Sequence, residues 1–219
     1  MVEITIFVEG ATLEHINHNA KTMTNSQRFR ESFRRLFSSV FPNQDELRIM
    51  IENGSSNNQT VTFFKNAAVE NAQTLLLLDL DAPRLERNNR LDGLELTDLE
   101  SRVFFMIQKM EAWILSQPDK IEAYFAHYRY GNARIHEDNN LVGIHPENIR
   151  HPDDVLNTIL SRYFRYQKQG KTLKLKYQGG KLKLAPDLIE LLDFEQLSTD
   201  FDDARFMRRE IRRLIDNDL

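Results

Sequence analysis

Apolar positions along the chain fall into two rhythms, short continuous runs and longer stretches at helical spacing. Residues 2–8 (VEITIFV), 47–52 (LRIMIE), 74–78 (TLLLL) and 102–107 (RVFFMI) are β-branched or aliphatic runs of strand length. The run 74–78 carries no polar alternation, as expected of a strand buried on both faces. Between the runs the period changes. Phe29, Phe33, Leu36, Phe37 and Val40 predict a helix over 25–41, opened by Asn25 or Ser26 and closed before Pro42. Residues 59–71 read either as strand or as helix, and Val61, Phe64, Ala67 and Ala68 favour the helix.

Further helices are predicted from Lys109 to Ser116, Pro118 to Tyr128, Asp153 to Tyr166, Pro186 to Leu192 and over 201–216. The polar stretches 84–100 and 131–150 read as surface loops. Residues 171–184 alternate Leu and Lys around Gly179-Gly180 and suit a β-hairpin or a basic loop. Strands alternating with helices predict an α/β fold with a mainly parallel sheet flanked by helices and a helical C-terminal extension. The expected division is an α/β core over 1–116 and a helical, basic part over 117–219 packed on it.

Two strand ends carry acids. The first run leads into Glu9-Gly10, and the third into Asp79-Leu80-Asp81. Ligands of parallel sheets bind beyond the carboxyl ends of the strands, so these acids are predicted to share one rim. Residues two apart in extended chain face the same side, which would aim Asp79 and Asp81 into one pocket while Leu80 enters the core. Grouped carboxylates repel unless a cation joins them. Oxygen-only ligands suit Mg²⁺ or Mn²⁺, which can polarise a phosphoryl oxygen and generate hydroxide. The bland alternatives are a strand-end cap for the aspartates and a surface glutamate for Glu9.

Composition refines this picture. The chain of 219 residues has no cysteine, which removes disulfides and thiolate ligands and suits a cytoplasmic location. No apolar run nears the ~20 residues that cross a bilayer, and the start lacks a signal-peptide layout, so no membrane partner is expected. The net charge of −4 argues mildly against a nucleic-acid partner. The charge is segregated, however. No Asp or Glu occurs from Val155 to Pro186, a stretch holding Arg162, Arg165, Lys168, Lys171, Lys174, Lys176, Lys181 and Lys183. That stretch is either a phosphate-facing surface or a solvated face balanced by the acids after it.

The combination ITIFVEG, a helix-rich gap and LLLLDLDAP resembles the Toprim superfamily of topoisomerases, primases and overcoming-lysogenization-defect nucleases. Met110-Glu111-Ala112-Trp113-Ile114-Leu115, Pro118 through Phe125 and Lys181-Leu182-Lys183-Leu184-Ala185-Pro186 extend the likeness to a bacterial Toprim-like family of unknown function. The resemblance implies Mg²⁺- or Mn²⁺-dependent cleavage of DNA or RNA, beside an ATPase in defence against phage, with a homo-oligomer allowed. It implies a metal site of Glu9, Asp79 and Asp81, with Glu111 beside it and Lys181 and Lys183 near the phosphate. The nuclease branch commonly has an acid four positions after its first glutamate; here that position is Leu13, followed by Glu14. Either Glu14 serves as the further ligand through a shifted turn, or a second metal site is weakened. The latter implies the rival reading, a catalytically weak or inactive subunit acting through an ATPase partner. A haloacid-dehalogenase-like phosphatase with Asp79 as nucleophile is a third reading, disfavoured because Ala82-Pro83 stands where Gly-Thr is usual.

Overall fold

The chain is an α/β fold whose centre is a four-stranded, entirely parallel sheet, in a computed structural model that describes residues 2–9, 20–41, 47–54, 56–177 and 184–217. The strands are β1 (Val2–Glu9), β2 (Leu47–Gly54), β3 (Thr74–Asp79) and β4 (Val103–Met106), in the order β2-β1-β3-β4. Helix α1 (Ala20–Ser38) links β1 to β2, and α2 (Asn57–Glu70) links β2 to β3. The first crossover moves to one side of β1 and the second returns past it. Crossovers of one hand that run in opposite directions lie on opposite faces of the sheet. The two apolar clusters agree. On one face Ile4, Ile6 and Val8 meet Phe29, Phe33 and Phe37 of α1. On the other, Phe7, Leu76 and Leu78 meet Val61 and Phe64 of α2.

All six residues of β3 are buried, so its unbroken apolar run reflects two covered faces. Complete burial of one such aliphatic side chain contributes about 1.5–3 kcal/mol. Trp113, in α4 (Met110–Leu115), is fully buried between Phe194 and Phe201 and is core. The same apolar cluster reaches Ile121 of α5 (Pro118–Tyr124), Leu156 of α6 (Pro152–Tyr163), Leu188 of α7 (Ala185–Glu190), Phe194 of α8 (Phe194–Asp200) and Met207 of α9 (Asp202–Asn217). Residues beyond 116 therefore share the core of the sheet.

Three expectations are corrected. The stretch 84–100 is not a plain loop; it contains α3 (Arg87–Gly93) and 3-10 turns at Arg84–Glu86 and Thr97–Arg102. Only Leu91 and Leu96 of the region enter the core, too few to give a helical period. The helix expected to reach Tyr166 ends at Tyr163, and β5 (Arg165–Lys168) follows at once. It pairs antiparallel with β6 (Lys171–Lys174), so the hairpin starts earlier than the Leu/Lys alternation indicated. Its turn sits on Gln169 and Gly170, both at positive φ. Helix α8 was not expected, although Asp193 accepts from the amides of Glu195 and Gln196 as an N-cap.

β4 is an edge strand, and its free edge is covered. The buried Asp203 of α9 accepts from the Phe105 amide at 2.8 Å, and Arg87 donates to the Val103 carbonyl at 3.2 Å. Arg87 also donates to Asp203 at 3.2 Å, closing the seam. Such covering protects an edge from strand addition.

Candidate functional site

β1 and β3 are neighbours whose outgoing connections leave in opposite directions, one toward β2 and the other toward β4. This reversal opens a crevice beyond their carboxyl ends. Glu9 and Asp79 are the last residues of these two strands. Glu9 Oε2 accepts from the Asp79 amide at 3.1 Å, so the two motifs meet at the crevice.

Glycine helps place Glu9. Gly54 pairs with Glu9 across β1 and β2, and a Cβ there would lie 2.5 Å from Thr60 Oγ1. Only glycine lets the first turn of α2 approach this closely. Ser56 caps that helix by accepting from the Gln59 amide, and Asn57 Nδ2 reaches Glu9 Oε2 at 3.5 Å. The glutamate thus turns toward the α2 face.

Asp79 turns the other way. It is 2% exposed, and its Oδ1 accepts from the Met110 amide at the start of α4 at 2.9 Å. Glu111, the next residue, is also buried, and its Oε1 accepts from the Tyr177 hydroxyl at 3.0 Å. Burial pushes the Tyr177 phenol upward, and the nearby Glu111, Asp79 and Asp153 carboxylates add to the shift. Lys109 donates to Asp153 at 3.0 Å. Burial works against its charge, but Asp153, with Asp81 and Glu111 nearby, holds the ammonium above its ordinary value. Glu9, Asp79, Asp81, Glu111, Asp153, Lys109 and Tyr177 are thus linked by contacts and electrostatic interactions beyond the carboxyl ends of β1 and β3.

Asp81 departs from the extended geometry expected of it. Leu80 is buried as predicted, but Asp81 has φ 55° and an exposed side chain, and its amide bonds the Gln108 carbonyl. The alternation that would align Asp79 with Asp81 stops at the strand end. Asp81 stands at the rim while Asp79 lies inside. Glu14, Lys181 and Lys183 lie outside the described residues, as do Leu13, His15 and His18. Sequence reasoning missed Asn57, Asp153 and Tyr177. Each reaches the crevice through contacts distant in sequence, and no local pattern marks them.

Among the described residues, no group of three or more His, Asp or Glu side chains is arranged to hold a metal ion. Glu9 reaches Asn57 of α2, whereas Asp79 accepts from the Met110 amide at the start of α4. Their chemistry is nonetheless that of a hard-cation site, anionic and built of oxygen. Mg²⁺ keeps several waters and is commonly held by one or two carboxylates together with substrate phosphates. A preassembled cage of three acids is not required for it.

Among the described residues, no helix is long and apolar enough to cross a membrane. The chain matches no protein-family model, and no curated protein or solved structure matches it.

Proposed function

We propose that the chain is a Toprim-like, divalent-cation-dependent nuclease that cleaves DNA or RNA phosphodiesters at the crevice between β1 and β3. The observation that carries this reading is the Glu9 carboxylate resting on the Asp79 amide where the sheet's connections reverse. Two acidic motifs 70 residues apart in sequence meet where parallel sheets bind ligands. Glu9 and Asp79 would hold Mg²⁺ or Mn²⁺, with Asp81 at the rim. A bound ion supplies polarisation of a phosphoryl oxygen and a water of lowered pKa. Lys109 stays protonated and offers its charge to the scissile phosphate or its developing anion. Tyr177 is a positioning residue, since its hydroxyl fixes the Glu111 carboxylate. Lys181 and Lys183 are assigned to the phosphate by the sequence resemblance, which also implies an ATPase partner, and the absence of cysteine suits a cytoplasmic setting.

A second reading is favoured by one feature of the same site. Glu9 and Asp79 each accept a backbone N–H, a structural task that an inactive subunit acting through an ATPase would retain. Cleavage separates the two. Purified chain with Mg²⁺ or Mn²⁺ is expected to cut plasmid or transfer RNA. Asp79→Asn should lower the rate roughly a thousandfold, the equivalent of the several kcal/mol that metal polarisation supplies. No cutting by the wild type would leave the inactive subunit as the better account, and equal cutting by wild type and variant would remove Asp79 from the site.

A further inference from the structure

The segment after β6 joins a second surface to the acidic residues beyond β1 and β3. Tyr177 bonds Glu111, while Lys176, one residue earlier, lines a groove of about 630 Å³ with Tyr124, Phe125, Tyr128 and Tyr166. Tyr124 and Tyr128 are 39% and 44% exposed, although rings of this size are mostly buried elsewhere in the chain. The hairpin's register extends the surface. Tyr166 lies opposite Leu173, and Lys168 opposite Lys171. Residues directly opposite, and residues two apart, share a face of a ribbon, so both lysines stand on the Tyr166 face. Like charges directly opposite are unfavourable on their own. Among the described residues Lys168, Lys171, Lys174 and Lys176 make no ion pair, and no acid occurs between Val155 and Pro186. Asp187, whose carboxylate accepts from the Tyr124 hydroxyl, is already paired with Arg28.

Exposed rings beside unpaired cations fit one chemistry, a flexible polyanion with flat, stackable groups. A duplex hides its base faces; a single strand offers them along with its phosphates. We infer that the groove beside α5 and the β5–β6 hairpin binds single-stranded nucleic acid, stacking bases on Tyr128 and Tyr166 and placing phosphates against Lys168, Lys171 and Lys176. The inference rests on the nuclease reading and narrows its substrate, because the Lys176–Tyr177 step leads a strand bound here to the acidic crevice.

Binding and cleavage can be read separately. Fluorescence anisotropy of the full chain in EDTA, with labelled oligo(dT) and oligo(U) of about 15 nucleotides, reports the groove alone. Tighter binding of these strands than of a duplex of equal length is expected. Tyr128→Leu and Tyr166→Leu should each weaken binding about tenfold, the low end of what one lost base–ring stack removes, while Tyr128→Phe should retain it. The double variant Lys168→Gln and Lys171→Gln should flatten the dependence of log affinity on log salt by about 1.4. Both lysines are exposed, so this arm holds even if a tyrosine variant melts early. Tighter duplex binding, or wild-type affinity in the leucine variants with an unchanged salt slope, would overturn the inference. Strand binding in EDTA with these losses supports the groove whatever the cleavage assay with Mg²⁺ returns, so failure of the nuclease reading is seen apart from failure of this one.

Discussion

Two buried aspartates sit near the ends of neighbouring strands in very different company. Asp203, at the seam of β4 and α9, is 1% exposed, accepts from the Phe105 amide and is answered by Arg87, which stacks over the Phe105 ring. Asp79, at the carboxyl end of β3, is as deeply buried and also accepts an amide, but it stands among further carboxylates, Glu9 and Glu111. The first arrangement is closed, with one charge, one countercharge and a strand edge covered. The second gathers several carboxylates at the carboxyl ends of β1 and β3, with the Lys109 ammonium beside them. Under the proposed reading, the difference separates a carboxylate kept for the fold from one placed for a ligand.

Removing each charge isosterically should widen this contrast. Asp203→Asn leaves Arg87 partly buried without its innermost partner, and should lower unfolding free energy by about 3 kcal/mol in urea titration. Asp79→Asn keeps an acceptor for the Met110 amide, so its change should stay within about 1 kcal/mol. Equal losses from the two would erase the distinction.

A smaller effect sharpens it from the acid side. Glu122 of α5 belongs with Asp203, its charge answered by arginine. Burial pushes its carboxyl up, but the Ile135 amide at 2.6 Å, Arg134 at 2.9 Å and Arg129 at 3.3 Å hold it below the ordinary range. Asp138 is lowered likewise: burial raises it, and Asn140, Tyr163 and Arg162 outweigh burial. A lowered folded pKa adds stability above the unfolded value of about 4, and that stability is lost as pH falls through the folded value. Glu122→Gln should therefore cost about 1.5 kcal/mol at neutral pH and progressively less in acid. Melting temperatures across the acid range check this, and a pH-independent loss would move Glu122 out of that class.

How much was legible in the sequence follows from the same physics. β3 and β4 were readable because burial on both faces forces continuous apolar runs, as in Leu75–Leu78, and β1 and β2 because β-branched and aliphatic residues dominate them. The meeting of Glu9 and Asp79 followed from parallel strands ending at one edge. Asp81 was misplaced because a single left-handed residue ends the alternation, and nothing in Asp-Leu-Asp announces a positive φ. Helix α3 was hidden because Arg87 earns its place through Asp203, 116 residues later, and not through a local period. Asp203 was invisible for the same reason. Tyr177 lay within a basic stretch that read either as a phosphate-facing surface or as a solvated face, and its hydroxyl instead donates to a carboxylate.

The central claim is that the carboxyl edge of β1 and β3 takes a divalent cation while the arginine-paired acids do not. Titrating Mn²⁺ into the full chain, followed by electron paramagnetic resonance, tests it most directly. Wild type should remove free Mn²⁺ from solution, Glu9→Gln and Asp79→Asn should each lose that capacity, and Glu122→Gln should keep it. Uptake unchanged by Asp79→Asn, or no uptake by the wild type, would contradict the account.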